Sequence, residues 1–119
     1  MTKNKYRFFL FSYLIVILLV SSIAGRNFPD SKLFTFDKIL HVIEYSILGF
    51  LVTRSYPGIS VIRIVIILLS CFSFSALDEY WQSFIPGRNS SGLDILADNI
   101  GVWIGAGIGI ASIFHKRDD

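Results

Sequence analysis

Apolar residues in this chain fall into four long runs, and the polar residues that interrupt the last three crowd towards one end of each. The runs cover about 8–25, 37–54, 59–78 and 93–114. Each is close to the roughly 20 residues that an α-helix needs to cross a ~30 Å hydrocarbon core. Only Ser12 and the Ser21-Ser22 pair break the first run; Asp37, Lys38, His41 and Glu44 all lie in the first half of the second. Arg63 stands near the start of the third, which ends on Asp78, and the fourth opens with Asp94, Asp98 and Asn99 before turning small and apolar. Short polar links join the runs, and links of that length favour antiparallel neighbours. The pattern therefore predicts an all-α membrane protein, a compact bundle of four transmembrane helices forming a single domain over 1–119.

Composition agrees with a lipid setting. Of 119 residues, 53% are hydrophobic and 17% charged, and the mean hydropathy is +0.61, more apolar than an average soluble domain. Lys3, Lys5 and Arg7 ahead of the first run resemble the basic start of a secretory leader. The run is long for a leader core and Ser22-Ile23-Ala24-Gly25 is a poor cleavage site, so a first span is expected. Basic residues gather on the cytoplasmic side of short loops. With the N-terminus inside, that side holds Lys3, Lys5, Arg7, Arg54, Arg63, Lys116 and Arg117, seven of the eleven; Arg26, Lys32, Lys38 and Arg88 lie outside. Both termini are thus expected in the cytoplasm of a multi-pass protein, and the net charge of +2 calls for no nucleic acid.

That topology brings the start of spans two and four and the end of span three to one membrane face. Asp37, His41, Glu44 and Tyr45 are spaced by threes and fours, so they share a helix face, as do Asp78 with Gln82 and Asp94 with Asp98. Glu44 lies seven residues beyond Asp37, about 10 Å deeper at ~1.5 Å per residue. A carboxylate at that depth must neutralise, pair or face a hydrated space. The expectation is an outward-facing polar vestibule formed by Asp37, His41, Glu44, Tyr45, Asp78, Glu79, Gln82, Arg88, Asp94 and Asp98. Gly101, Gly105 and Gly109 repeat every four residues in span four, a spacing that lets helices approach closely in lipid, within the bundle or in a homodimer. Tyr80, Trp81 and Phe84 read as interfacial aromatics, Cys71 as a packing residue, and His115 beside Lys116 and Arg117 as a membrane anchor.

Three blocks carry a resemblance. Asp37-Lys38-x-x-His41-x-x-x-Tyr45-x-x-Leu48, then Asp78-Glu79-x-x-Gln82-x-Phe84-x-Pro86-Gly87-Arg88, then Asp94-x-x-x-Asp98-x-x-Gly101 are similar to the signature of the VanZ-like membrane proteins, in the same order and over somewhat more than half of the chain. The resemblance implies a small bacterial integral membrane protein of the cell membrane; the founding member is linked to low-level resistance to the glycopeptide teicoplanin. Two positions depart from the pattern. Trp81 stands where many relatives have histidine, which removes a nitrogen ligand from any metal set, and the position of Asp98 is often asparagine. Glu44 is less regular in the family than His41 or Tyr45.

Three function classes follow. The first is a binding or modulating protein whose vestibule holds a cell-envelope lipid, a lipid-linked wall precursor or the glycopeptide, with Arg88 on an anionic group and the carboxylates accepting from hydroxyls or amides. The second is an intramembrane hydrolase or transferase with His41 as base or metal ligand. The third is an ion-coupled carrier in which Glu44 titrates. No nucleophile elbow, His-Glu-x-x-His pair or phosphate-cradling loop is present, and no polar path continues into the inner half of the spans. Binding therefore ranks first, enzyme second, carrier third. No cofactor is predicted; the excess of carboxylates over histidines leaves room for an oxygen-ligated divalent cation on His41, Asp78 and Asp98 rather than zinc.

Overall fold

The computed structural model describes residues 1–23, 33–88 and 91–116, with backbone alone over 33–36. Four helices follow one another: α1 (Lys3–Ser21), α2 (Leu33–Ser55), α3 (Val61–Gln82) and α4 (Gly92–His115). Arg26, Lys32 and Arg117, which entered the count of basic residues, and the end of the first expected span lie outside the described residues. Three helices run well beyond their apolar runs, and α2 does so by beginning at Leu33 rather than 37. α1 begins at Lys3 rather than 8, where Thr2 caps it through a bond from the Lys5 amide. α3 continues to Gln82, so Glu79 and Gln82 belong to its final turns and not to a link. Hydropathy marks where a helix leaves lipid, whereas the helix itself ends only where its hydrogen bonding stops.

Three helices, α1, α3 and α4, are long and apolar enough to cross a membrane. The ends of the bundle are unlike. At one end Arg7 donates from Nε to the Ser55 carbonyl at 3.2 Å and stacks on Tyr56, while Arg54 donates to Ser112 Oγ at 2.8 Å and stacks on Tyr6. These contacts join the start of α1 to the ends of α2 and α4. The other end holds the start of α2 and α4 and the end of α1 and α3. The helices therefore alternate in direction, and α2 and α4 run parallel.

The most extensive interface is between α2 and α4, which are not sequence neighbours. Short links suggested that successive helices would pack most closely; small residues decide otherwise. A Cβ placed on Gly101 would meet the Val42 carbonyl, one on Gly105 the Ser46 backbone, one on Gly109 the Thr53 hydroxyl, and one on Gly49 the Val102 carbonyl. Helix backbones approach this closely only where side chains are absent. The glycine face of α4 is thus covered by α2 of the same chain, whereas Gly107 faces open space. Leu10, Ile17, Tyr45, Leu48, Cys71 and Val102 form the buried apolar centre.

Candidate functional site

At the end where α2 and α4 begin, the usual distribution of polarity is inverted. Ile39, Leu40, Ile43 and Ile47 of α2, Leu77, Tyr80, Trp81 and Phe84 near the end of α3, and Leu93, Leu96 and Ile100 of α4 are exposed. His41, Asp78, Glu79, Gln82, Asp94 and Asp98 are buried between them. Apolar side chains that face outward around a polar interior fit a lipid environment, in which intramembrane ionisable groups turn towards the bundle interior.

Two hydrogen-bonded groups occupy that interior. In the first, His41 Nδ1 and Asp98 Oδ1 are 2.7 Å apart, and the Ser75 hydroxyl donates to Asp98 Oδ2 at 2.7 Å. His41 Nε2 lies 3.7 Å from Asp37 and 3.9 Å from Asp94, and the Lys38 ammonium pairs with Asp94 and stands 3.5 Å from Asp37. Side-chain exposure falls from 37% at Asp37 through 7% at His41 to 0% at Asp98, a path from solvent into the bundle. In the second group, Tyr45 OH donates to Asp78 Oδ2 at 2.9 Å, and the Gln82 amide donates to the same oxygen at 3.4 Å and to Ser21 Oγ at 3.1 Å. Glu79 Oε2 accepts from the Ser91 amide at 3.3 Å, tying the end of α3 to the start of α4.

Some buried acceptors go unused. Asp78 Oδ1, Glu79 Oε1 and Ser91 Oγ have no hydrogen-bond partner among the described residues. A buried polar atom without a partner costs of order 1–3 kcal/mol, a cost that a hydrogen-bond donor at these atoms would relieve. Ser91 occupies the N-cap of α4 without its hydroxyl capping the helix, while Asp94 supplies the acid that the first turn favours.

The sequence-predicted residues do not all converge. Asp37, His41, Tyr45, Asp78, Glu79, Gln82, Asp94 and Asp98 do. Glu44 is half-buried and its carboxylate makes no hydrogen bond among the described residues; only its backbone carbonyl is used, by Tyr13 OH at 2.7 Å. Arg88 is committed elsewhere, donating from Nε to the Ile23 carbonyl at 3.0 Å and from Nη2 to the Val20 carbonyl at 2.7 Å. The cause is local. Pro86 and Gly87 form a turn closed by the Arg88 amide on the Ile85 carbonyl, with Gly87 at φ 77°, a conformation suited to glycine in a type II turn. That turn sends the guanidinium to the C-terminal end of α1, where it adds donors to the Val20 carbonyl, which already accepts from the Ile23 amide, and to the Ile23 carbonyl just beyond the helix.

Two groupings place one donor atom from each of three residues within 4.8 Å of one another: Asp37, His41 and Asp94, and, more fully buried, His41, Glu79 and Asp98. Glu79 stands in the deeper set where the sequence suggested Asp78, because Asp78 turns to Tyr45 and Gln82. Ser75, Ser21, Trp81 and Lys38 were not singled out as site residues. Ser75 precedes Asp78 by three and Gln82 by seven, so helical spacing placed it on the same face; no comparable signal marked Ser21. Trp81 Nε1 donates to Ser22 Oγ at 2.9 Å, a further α3 to α1 tie.

A cavity of about 770 Å³ lies away from these residues. Apolar side chains of α1, α2 and α3 line it, with Lys3, Arg7 and Arg63 among them, towards the opposite end of the bundle. Its volume suits a lipid chain better than the polar chemistry of the buried acids, which therefore mark the candidate site.

A family model described as VanZ/LLP1 matches residues 2–115. No curated protein and no solved structure matches the chain.

Proposed function

The chain belongs to the VanZ-like family of membrane proteins, and from that premise we propose that it binds a cell-envelope molecule in the acid-lined site and thereby modulates susceptibility to glycopeptides such as teicoplanin. The site opens to the outer face of a bacterial membrane, with both termini in the cytoplasm. The observation that carries this reading is the pair of buried, unpartnered carboxylate oxygens, Asp78 Oδ1 and Glu79 Oε1. Acceptors of this kind select a ligand that donates: a hydroxyl, an amide or an ammonium, as found on the sugar and peptide portions of wall precursors and on glycopeptides. Arg88, already spent on α1 carbonyls, holds the wall of the site instead of gripping an anion.

Binding is favoured over a serine-nucleophile reaction by one feature. Ser75 donates to Asp98 and not to His41, so among the described residues no hydroxyl is poised on the imidazole for activation. The test is teicoplanin susceptibility of cells expressing the wild-type chain, Asp78→Asn, Glu79→Gln or His41→Ala at equal membrane levels. The wild type protects and each variant loses most of that protection. Equal protection by all four proteins would refute the site, and no protection by the wild type would refute the glycopeptide link.

A further inference from the structure

We propose that His41, Glu79 and Asp98 bind a divalent cation of the Mn²⁺ type at the centre of the buried cluster. The three residues come from three different helices, α2, α3 and α4. Each offers one donor atom, and these atoms lie within 4.8 Å of one another. Bonds of about 2.0–2.2 Å, the zinc values taken as a guide, place donors on one ion at most about 4.4 Å apart, so donors within 4.8 Å need close by only a few tenths of an ångström. All three are at least nine-tenths buried, at 6%, 3% and 0% exposure. Acidic clusters alone do not make a metal site, and here a second observation points to a ligand: Glu79 Oε1 is buried without any hydrogen-bond partner among the described residues.

Charge balance runs the same way. Asp78, Glu79 and Asp98 are buried together in this interior. Of the nearby cations, Lys38 is committed to Asp94 and Asp37 and Arg88 to the carbonyls of Val20 and Ile23, and His41, which would balance Asp98 if protonated, is neutral when it ligates a metal. The shallower grouping of Asp37, His41 and Asp94 already has the Lys38 ammonium as its cation, which leaves the deeper set for a metal ion. One imidazole nitrogen with two carboxylate oxygens suits Mn²⁺ better than the all-oxygen cages of Ca²⁺. An ion held by three protein donors keeps open positions. With Glu79 engaged by the ion, Asp78 Oδ1 remains the acceptor for a donor on the envelope ligand, and the ion would add a place for that ligand's anionic oxygens; this role rests on the binding reading above, while the presence of the ion does not.

The experiment is Mn²⁺ titration of the purified full chain in lipid nanodiscs after EDTA stripping. Free Mn²⁺ is followed by electron paramagnetic resonance, and thermal unfolding is measured with and without the ion. The wild type binds one equivalent, and Mn²⁺ raises its unfolding temperature in a manner reversed by EDTA. Glu79→Gln and His41→Gln, isosteric or close to it, weaken binding at least about tenfold, the loss seen even for residues that merely support metal ligands, while exposed Ser73→Ala on α3 leaves it unchanged. No binding above empty nanodiscs, or binding that survives both substitutions, overturns the proposal. Because no envelope ligand is present, Mn²⁺ binding without teicoplanin protection would defeat the functional reading alone, and protection without Mn²⁺ binding would defeat the metal alone.

Discussion

Tyr45 shows most clearly how single residues hold the site together. Its ring is buried against Phe74, and its hydroxyl provides the closest hydrogen bond to Asp78. Tyr45→Phe keeps the shape and removes that donor. Since Asp78 Oδ1 already lacks a partner, the substitution is expected to cost about 0.5–2 kcal/mol, read as a lower unfolding temperature in detergent; an unchanged temperature would mean that the bond contributes nothing. Helical spacing made the shared faces of His41 with Tyr45, Asp78 with Gln82, and Asp94 with Asp98 readable in the sequence. Ser75 and Ser21 were not readable as site residues, for a physical reason. Hydroxyls in apolar helices commonly return to the carbonyl four residues back, as Ser46, Ser55 and Ser73 do here. Only the position of α4 reveals that Ser75 turns to Asp98 instead. Arg88 was misdirected for a similar reason: the Pro86-Gly87 turn is visible in the sequence, but its aim depends on where α1 ends.

Among the helices, α2 and α4 set the geometry of the site by how closely they approach. Gly49, Gly101, Gly105 and Gly109 lie at their contact, with Ser46, Thr53 and Ala106 as the other small residues. Gly105→Ala would force its methyl into the Ser46 backbone, and such overpacking costs about 1–3 kcal/mol. It would also separate His41 from Asp98, one turn or more towards the site. Gly107→Ala meets nothing within 4 Å and gains helix propensity worth about 0.5–1 kcal/mol. Thermal unfolding of the two variants should therefore move in opposite directions; equal shifts would contradict the close packing. The four-residue glycine spacing announced a tight helix contact, but not its partner. Link length pointed to sequence neighbours, whereas the tightest pair is the parallel one in which both helices present small residues.

At the scale of the whole molecule, polarity is sorted along the bundle as well as across it. Lys3, Lys5, Arg7, Arg54, Arg63 and Lys116 belong to one end, and the buried acids with Lys38 and Arg88 to the other. If basic residues mark the cytoplasmic side, a single cysteine at Gly92, in a Cys71→Ala background, should react with an impermeant thiol reagent added to intact cells. One at Lys116 should react only after the membrane is opened. The reverse pattern would turn the site to the cytoplasm. The four-helix architecture was legible because hydropathy marks the long runs, three of which form helices apolar enough to cross a membrane; the buried arrangement of the acids required knowing which faces meet. The central claim, that Asp78 and Glu79 receive an envelope ligand, is tested most directly by thermal unfolding of the purified chain in nanodiscs with added teicoplanin or a lipid-linked wall precursor. The account predicts stabilisation of the wild type by at least one of them, about 2.7 kcal/mol at a hundredfold excess over Kd, and its loss in an Asp78→Asn/Glu79→Gln double variant. Stabilisation that persists in the double variant, or none with either ligand in the wild type, would contradict it.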